Sequence, residues 1–387
     1  MNIAVVYGGT SCERDVSIIT GIQALGMLDK FRYEVYPVLI GADGGMGMPE
    51  NAQSIRTYIG EKPPAGAPVY FEKGALCVKG WLKSKRIRID CALLCTHGGT
   101  GENGALQGFF EMCSIPYTSP GVEPSAICMN KITSKSIFLG LGANVLPAAK
   151  VQRGGEKEAI NYAKKCGYPV IVKPARQGSS IGIDVAKNDV ELLAALSVAF
   201  EFDEFAIIER ALENFTEINC ACVKSRGEII VSSLERPVCW KEFLTFEDKY
   251  LSGGKSGGGK INASAREFPA KIPQDKEEYI KRTSYNVYKE LGMKGVVRFD
   301  YLIDNDGGEV YLNEANTIPG SLANYLFTDK GIDGNRLMDI IIEEAVAEGV
   351  DKGGKFSSDV LRAFGAAGCE ACGTFSANAC KIGARHI

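Results

Sequence analysis

The segment GVVRFDYLIDNDGGEVYLNEANTIPGS, residues 295–321, places carboxylates, a carboxamide and a guanidinium on two otherwise apolar runs. Strand side chains alternate faces, so Arg298 and Asp300 share one face, as do Glu314 and Asn316. All four converge if Asp300 pairs opposite Glu314 and Arg298 opposite Asn316, which calls for a connecting loop of odd length such as Asp306–Gly307–Gly308. A two-residue loop would put the pairs on opposite faces unless a bulge intervened. Once converged, the oxygens of Asp300, Glu314 and Asn316 suit Mg²⁺, which keeps several waters and leans on substrate phosphates. The competing reading is a solvated polar face. The apolar flanks disfavour it, because buried charges must be paired or bind a metal.

Two other stretches invite phosphate. In YPVIVKPARQGSSIGIDVAK (168–187) an apolar strand ends in a lysine and runs through small residues into a second strand. The resulting hairpin would carry exposed N–H groups and hydroxyls able to close on phosphate oxygens. GKSGGGKI (254–261) follows the P-loop pattern until its last position, where Ile261 replaces the hydroxyl that holds Mg²⁺. No strand feeding a helix surrounds it, so a P-loop is excluded.

The elements that must position these residues come in a readable order. NIAVVYGG is a strand, followed by a helix from about Asp15 to Leu28, a strand near Tyr33–Ile40 and, after a Gly/Pro-rich stretch, DCALLCTHGG. This alternation predicts a parallel sheet with helices on both faces, whose ligands gather at the strand C-termini. Two polar Gly-rich loops lie there, GGTSCERDVS (8–17) and HGGTGENGALQG (97–108), and neither is a GxGxxG dinucleotide loop. Beyond Pro120 come a helical stretch SAICMNKITSKSIFLG, a strand near Leu146–Val151, a helix near Glu156–Lys165 and a strand in AIIERAL (206–212). FTEINCACVKSRGEIIVSS then reads as a hairpin turning at Arg226–Gly227.

At 387 residues, with 45% hydrophobic and 24% charged residues, the chain is an ordinary globular protein of two or three domains. A net charge of −3 gives no basic field for nucleic acid. The thirteen cysteines are scattered, several within apolar runs such as CALLC and INCACV, as expected of buried, reduced thiols in a cytoplasmic protein. No apolar run reaches the roughly 20 residues a bilayer span needs, so no membrane partner is expected.

Taken in order, VVYGGTSCERDVS, HGGTGENGALQG, PYTSPGVEPSAICMNKITSK, VIVKPARQGSSIGI, FEDKYLS, RFDYLID and LNEANTIPG resemble the D-alanine:D-alanine ligase family of ATP-grasp enzymes, over residues 3–345. The resemblance implies an α/β ATP-grasp fold: an N-terminal parallel-sheet α/β domain (1–120) that binds substrate, then central (121–212) and C-terminal (213–350) α+β subdomains clamping ATP. It implies ATP-driven joining of two D-alanines for peptidoglycan precursors, with ATP and Mg²⁺ or Mn²⁺ as cofactors, in a homodimer.

The resemblance also assigns residues. Lys131, Lys173 and Lys249 match phosphate-contacting lysines, and Ser179 and Ser180 sit in the flap. Glu209, with the backbone at Arg210 and Leu212, matches the adenine site, and Glu217 the ribose site. Asp300, Glu314 and Asn316 match the metal ligands. Glu13 matches the residue receiving the first amino acid's ammonium; read alone, SCERDVS is a helix cap. His97 lies beside the implied acceptor pocket. Arg298 and the Gly320 N–H would stabilise an oxyanion as an acyl phosphate forms and is attacked by the second amine. A lid over 240–262, beginning at Lys249–Tyr250, would exclude water, its glycines from Gly253 to Gly259 being its mobile middle and Lys255 or Lys260 its further phosphate candidates. Ser179, Glu217 and Tyr250 resemble the triad tying lid to flap.

The departures are specific. Asn130 stands where the family has Asp before the lysine, and Gln177 where an acidic residue is common. In PGSLANYLF, Tyr325 stands at a serine that helps hold the acceptor carboxylate, and the segment resembles D-alanine:D-serine ligases of vancomycin resistance. Ser321 offers a hydroxyl, and one added hydrogen bond is worth about 0.5–1.5 kcal/mol of acceptor preference. D-alanine remains the first expectation as acceptor and D-serine the alternative; a catalytically inactive ATP-binding regulator is a third reading. The tail 351–387, outside the resemblance, carries Cys369, Cys372, Cys380 and His386, a set that permits a zinc clip, although a disordered or loosely packed terminus is the favoured expectation.

Overall fold

The computed structural model describes residues 1–60, 66–237 and 266–350. Lys249, Tyr250, the lid stretch with Lys255 and Lys260, and the Cys/His tail fall outside the described residues. Residues Met1–Val350 form one compact unit.

A seven-stranded sheet organises the N-terminal part: β1 (Asn2–Gly8), β2 (Glu34–Ile40), β3 (Met46–Pro49), β4 (Gly66–Glu72), β5 (Ala75–Val78), β6 (Lys85–Arg88) and β7 (Cys91–Leu94), in the order β6-β5-β4-β3-β2-β1-β7. Strand β1 runs parallel to both β2 and β7, as the β-α-β alternation predicts. The sheet as a whole is mixed, because β3 to β6 add an antiparallel extension built from the Gly/Pro-rich stretch that separates the two apolar runs. Three of these strands, β3, β5 and β6, have only four residues, and their connecting turns interrupt the alternation from which strands are read. Ile3 to Tyr7 and Cys91 to Cys95 are almost wholly buried.

Two antiparallel four-stranded sheets follow. One orders β10 (Asp184–Ala186), β9 (Val170–Pro174), β11 (Phe205–Arg210) and β8 (Ala148–Gln152), and its core is filled by helices Glu156–Cys166 and Asp189–Phe202. The other orders β13 (Glu228–Val231), β12 (Phe215–Ser225), β16 (Val296–Asp304) and β17 (Val310–Asn316), with helix Gln274–Glu290 packed against it. The β12–β13 turn is the expected one. Arg226 and Gly227 both take positive φ (51 and 83), the geometry of a two-residue turn that matches strand twist. A short ribbon pairs β14 (Arg236–Pro237) with β15 (Arg266–Glu267).

The helical stretch around Asn130 is two helices, Val122–Met129 and Lys131–Gly140. Asn130 is extended (φ −99, ψ 105), and its side-chain oxygen accepts from the N–H groups of Ile132 at 3.0 Å and Thr133 at 3.3 Å. An asparagine cap satisfies helix-start donors as well as an aspartate does, so the departure at this position leaves Lys131 starting a helix.

Candidate functional site

The β16–β17 hairpin brings the four polar residues together by a route other than a three-residue loop. Arg298 pairs opposite Asn316 and Asp300 opposite Glu314, but beyond them the register slips by one and Tyr301 faces Leu312. Asp304 N–H donates to the Glu309 carbonyl at 2.9 Å, closing a loop over 305–308, and the bulge restores the parity that this even loop would break. The bulged residue, Asn313, accepts from Lys173 Nζ at 3.3 Å and so joins the site.

On the shared face Arg298 clasps Asp300 in a fork, Nε to Oδ1 at 2.7 Å and Nη2 to Oδ2 at 2.8 Å, and Asn316 Nδ2 donates to Asp300 Oδ2 at 2.9 Å. Asn316 therefore keeps its carbonyl oxygen for another partner. Lys131 Nζ lies 3.4 Å from Glu314 and donates to the Gln177 carbonyl at 2.6 Å, linking helix, flap and hairpin. Two carboxylates and a carboxamide oxygen form a hard-oxygen donor set that fits Mg²⁺.

Across a cavity of about 40 Å³ from Glu314 and Asn316 stands Glu13. It occupies the N-cap of helix Arg14–Met27 but makes no side-chain cap, which leaves its carboxylate for other partners. Ser179 of the flap donates to that carboxylate. A Cβ on Gly98 would meet it at 2.3 Å and one on Gly178 at 2.7 Å, so a side chain at either position would have to displace the Glu13 carboxylate. Ser179 (φ 50) and Ser180 (φ 60) hold the flap in a left-handed turn.

Glu102, within HGGTGENG, accepts from the N–H of Gly98 at 3.0 Å and of Ile318 at 3.1 Å, and from the Thr317 hydroxyl at 3.2 Å. Burial, helped by the nearby Glu13 charge, pushes its carboxyl up to about 7 against those hydrogen bonds. His97 is buried, and burial pushes its imidazole down to about 4, so the ring is neutral at neutral pH. Its Nε2 is 2.9 Å from the Thr20 hydroxyl, which accepts the Ser321 N–H at 3.1 Å. Through Thr20, His97 supports the turn after Gly320, where Ser321, Leu322 and Ala323 all take left-handed φ values of 53, 50 and 45.

At the other end of the site Glu209 has no exposed surface. Lys173 Nζ donates to Oε2 at 2.9 Å, while Lys135 Nζ sits 3.0 Å from Oε1 without hydrogen-bond geometry. Glu209 Oε1 and Lys135 Nζ are thus a buried acceptor and donor with unused hydrogen-bonding capacity. Arg210 pairs with Asp304 at 3.3 Å, Leu212 is partly exposed just beyond β11, and Glu217 lies on β12 opposite Leu302. Lys135, Asn313, Glu102 and Thr20 are additions to the set read from sequence. Lys135 had a signal, since it follows Lys131 by one helical turn and shares its face.

Two family models match the chain: D-ala D-ala ligase N-terminus over residues 2–120, and D-ala D-ala ligase C-terminus over residues 137–343. A D-alanine–D-alanine ligase of Wolinella succinogenes is 34% identical over 332 residues, covering 85% of this chain and 90% of that protein. One from Thermosipho africanus is 31% identical over 365 residues, covering 92% and 96%. Among solved structures, the D-alanine–D-alanine ligase of Helicobacter pylori aligns with a TM-score of 0.73 at 30% identity, covering 88% of this chain and 99% of that one. The VanG D-Ala:D-Ser ligase of Enterococcus faecalis aligns with a TM-score of 0.74 at 25% identity, covering 89% and 99%. No helix among the described residues is long and apolar enough to cross a membrane.

Proposed function

Because this chain belongs to the D-alanine–D-alanine ligase family, we propose that it uses ATP and Mg²⁺ to join two D-alanines through an acyl phosphate, supplying peptidoglycan synthesis in the cytoplasm. The observation that carries this reading is the cavity shared by Glu13, Lys131, Glu314 and Asn316, with Arg298 and Asp300 on the same strand face. It sets an ammonium acceptor opposite a cation-and-carboxylate cluster of the kind phosphoryl transfer needs.

Glu13 receives the donor's ammonium. Lys131 and Lys173 meet phosphate oxygens, and Asp300, Glu314 and Asn316 would hold a Mg²⁺ that, when bound, would offset charge on the phosphoryl group. The unused acceptor on Glu209 and donor on Lys135 fit a purine edge, which presents both complements. Arg298 and the Gly320 N–H face the oxyanion formed when the acceptor amine attacks. In this reading residues 1–120 hold the amino acids, 121–212 and 213–350 clamp the nucleotide, Lys249 and Tyr250 belong to the lid, and the enzyme is a homodimer.

D-serine as acceptor is the second reading, favoured by Tyr325 in place of serine and by the likeness to the VanG ligase. Mass spectrometry of products from D-alanine alone and from D-alanine with D-serine, with ADP release followed in parallel, separates the two. D-alanyl-D-alanine from D-alanine alone is expected; ADP release without a D-alanyl dipeptide would refute the reading.

A further inference from the structure

We propose that Arg266 binds the acceptor amino acid's carboxylate, held for that purpose by Tyr325 and Glu235. This deepens the ligase reading and rests on it.

An amino-acid acceptor brings a carboxylate that survives in the product, so the site must offer it a cation or several N–H donors. Among the described cations of the site, Lys135 faces the buried Glu209 at the far end, and three others are engaged nearer the cavity. Lys131 serves Glu314 and the Gln177 carbonyl, Lys173 serves Glu209 and Asn313, and Arg298 gives Nε and Nη2 to Asp300. Arg266 differs. It reaches the buried Glu235 through Nη1 at 3.6 Å, too long for a hydrogen bond, and its planar group lies over the Tyr325 ring at 4.1 Å. Stacking fixes the plane of the guanidinium without consuming its N–H donors.

The supporting residues continue the site's own sheet face. Asn219 on β12 pairs opposite Asp300, and an isolated bridge sets Glu235 opposite Asn219. Glu235 accepts from Asn219 Nδ2 at 3.2 Å and from the Tyr325 hydroxyl at 3.0 Å. Tyr325 therefore turns its hydroxyl to Glu235 and its ring to Arg266. Its hydroxyl is pushed up first by burial and next by the Glu235 charge, with Arg298 and Arg266 opposing the shift. The tyrosine exchanges a short hydroxyl for a platform, and the hydrogen-bonding role passes to Arg266.

The test removes the charge from each side of the contact in turn. Wild type, Arg266→Ala and the paired Glu235→Gln/Arg266→Gln variant, which strands no buried charge, are assayed with D-alanine or D-alanine amide as acceptor. Arg266→Ala is expected to raise the acceptor KM by about ten- to a hundredfold while the donor and ATP KM values stay within about twofold. Wild type should penalise the amide, and both variants should lose most of that penalty. A full amide penalty in both variants, or equal rises in donor and acceptor KM, overturns the proposal. If D-alanine alone gives no dipeptide but D-alanine with D-serine does, the same carboxylate-against-amide comparison is made with D-serine and D-serine amide; if neither gives a dipeptide, the ligase reading itself has failed.

Discussion

Lys173 Nζ stands 2.9 Å from Oε2 of Glu209, a carboxylate with no exposed surface. Lys135 approaches the other oxygen at 3.0 Å, so one buried anion has two ammonium neighbours. The surplus cation has a reading in the proposed reaction. When Lys173 turns to a phosphate, Lys135 remains to balance Glu209, and the carboxylate is not left buried and unpaired.

The same cluster predicts acid sensitivity. Burial would raise the Glu209 carboxyl, but Lys173 and Lys135 outweigh it and hold it down to about 2 against an ordinary 4.5. A depressed carboxyl contributes stability above its unfolded value and loses it as pH falls through its folded value. Glu209 should therefore contribute about 3 kcal/mol above pH 4.5 that disappears towards pH 2. Glu209→Gln is expected to be less stable than wild type at pH 7 by about 3–5 kcal/mol and to show a flatter acid limb. Urea midpoints for both proteins at pH 7, 5 and 3 decide the matter; parallel pH profiles would reject the assignment.

Gly178→Ala tests the place of Glu13. A Cβ there would lie 2.7 and 2.9 Å from the two Glu13 carboxylate oxygens, atoms at the end of a flexible side chain. The fold can yield by moving Glu13, but the ammonium site cannot. The donor KM should rise about tenfold with the ATP KM and the thermal midpoint little changed. An unchanged donor KM would remove Glu13 from the amino-acid site.

What could be read in advance follows from how local each signal is. The Arg226–Gly227 turn was legible because a two-residue loop fixes its own backbone. The meeting of Arg298, Asp300, Glu314 and Asn316 was legible from strand alternation, but its route was not, because an odd loop and an even loop with a bulge give the same faces. Asn313 entered the site only through that bulge. Glu235, Arg266 and Tyr325 lie far apart in sequence, and no period or spacing joins them. Of the antiparallel strands β3 to β6, three have only four residues and carry little alternation to detect.

Asn130 offers a stability test that leaves the chemistry aside. Its side chain caps helix Lys131–Gly140 through Ile132 and Thr133. Asn130→Ala should cost about 1 kcal/mol, whereas Asn130→Asp should be neutral or gain about 0.3–1 kcal/mol from the helix dipole. Chemical denaturation measures both. Equal losses in the two variants would mean that the cap is not what the asparagine supplies.

The turn after Gly320 carries three consecutive left-handed residues, Ser321, Leu322 and Ala323, none of them glycine. Each such residue costs roughly 1 kcal/mol or more, and the turn is held by the Ser321 N–H to Thr20 bond and by the burial of Leu322 and Ala323. Ser321→Gly and Ser321→Ala both delete the hydroxyl, but only glycine relieves the backbone. If strain fixes the Gly320 N–H in place, Ser321→Gly should be more stable than Ser321→Ala by about 0.5–1 kcal/mol and yet have the lower kcat, because a relaxed turn positions the donor less tightly. Denaturation midpoints and kcat at saturating D-alanine, measured on the pair, give both signs. Equal kcat values would show that the strain is incidental to turnover.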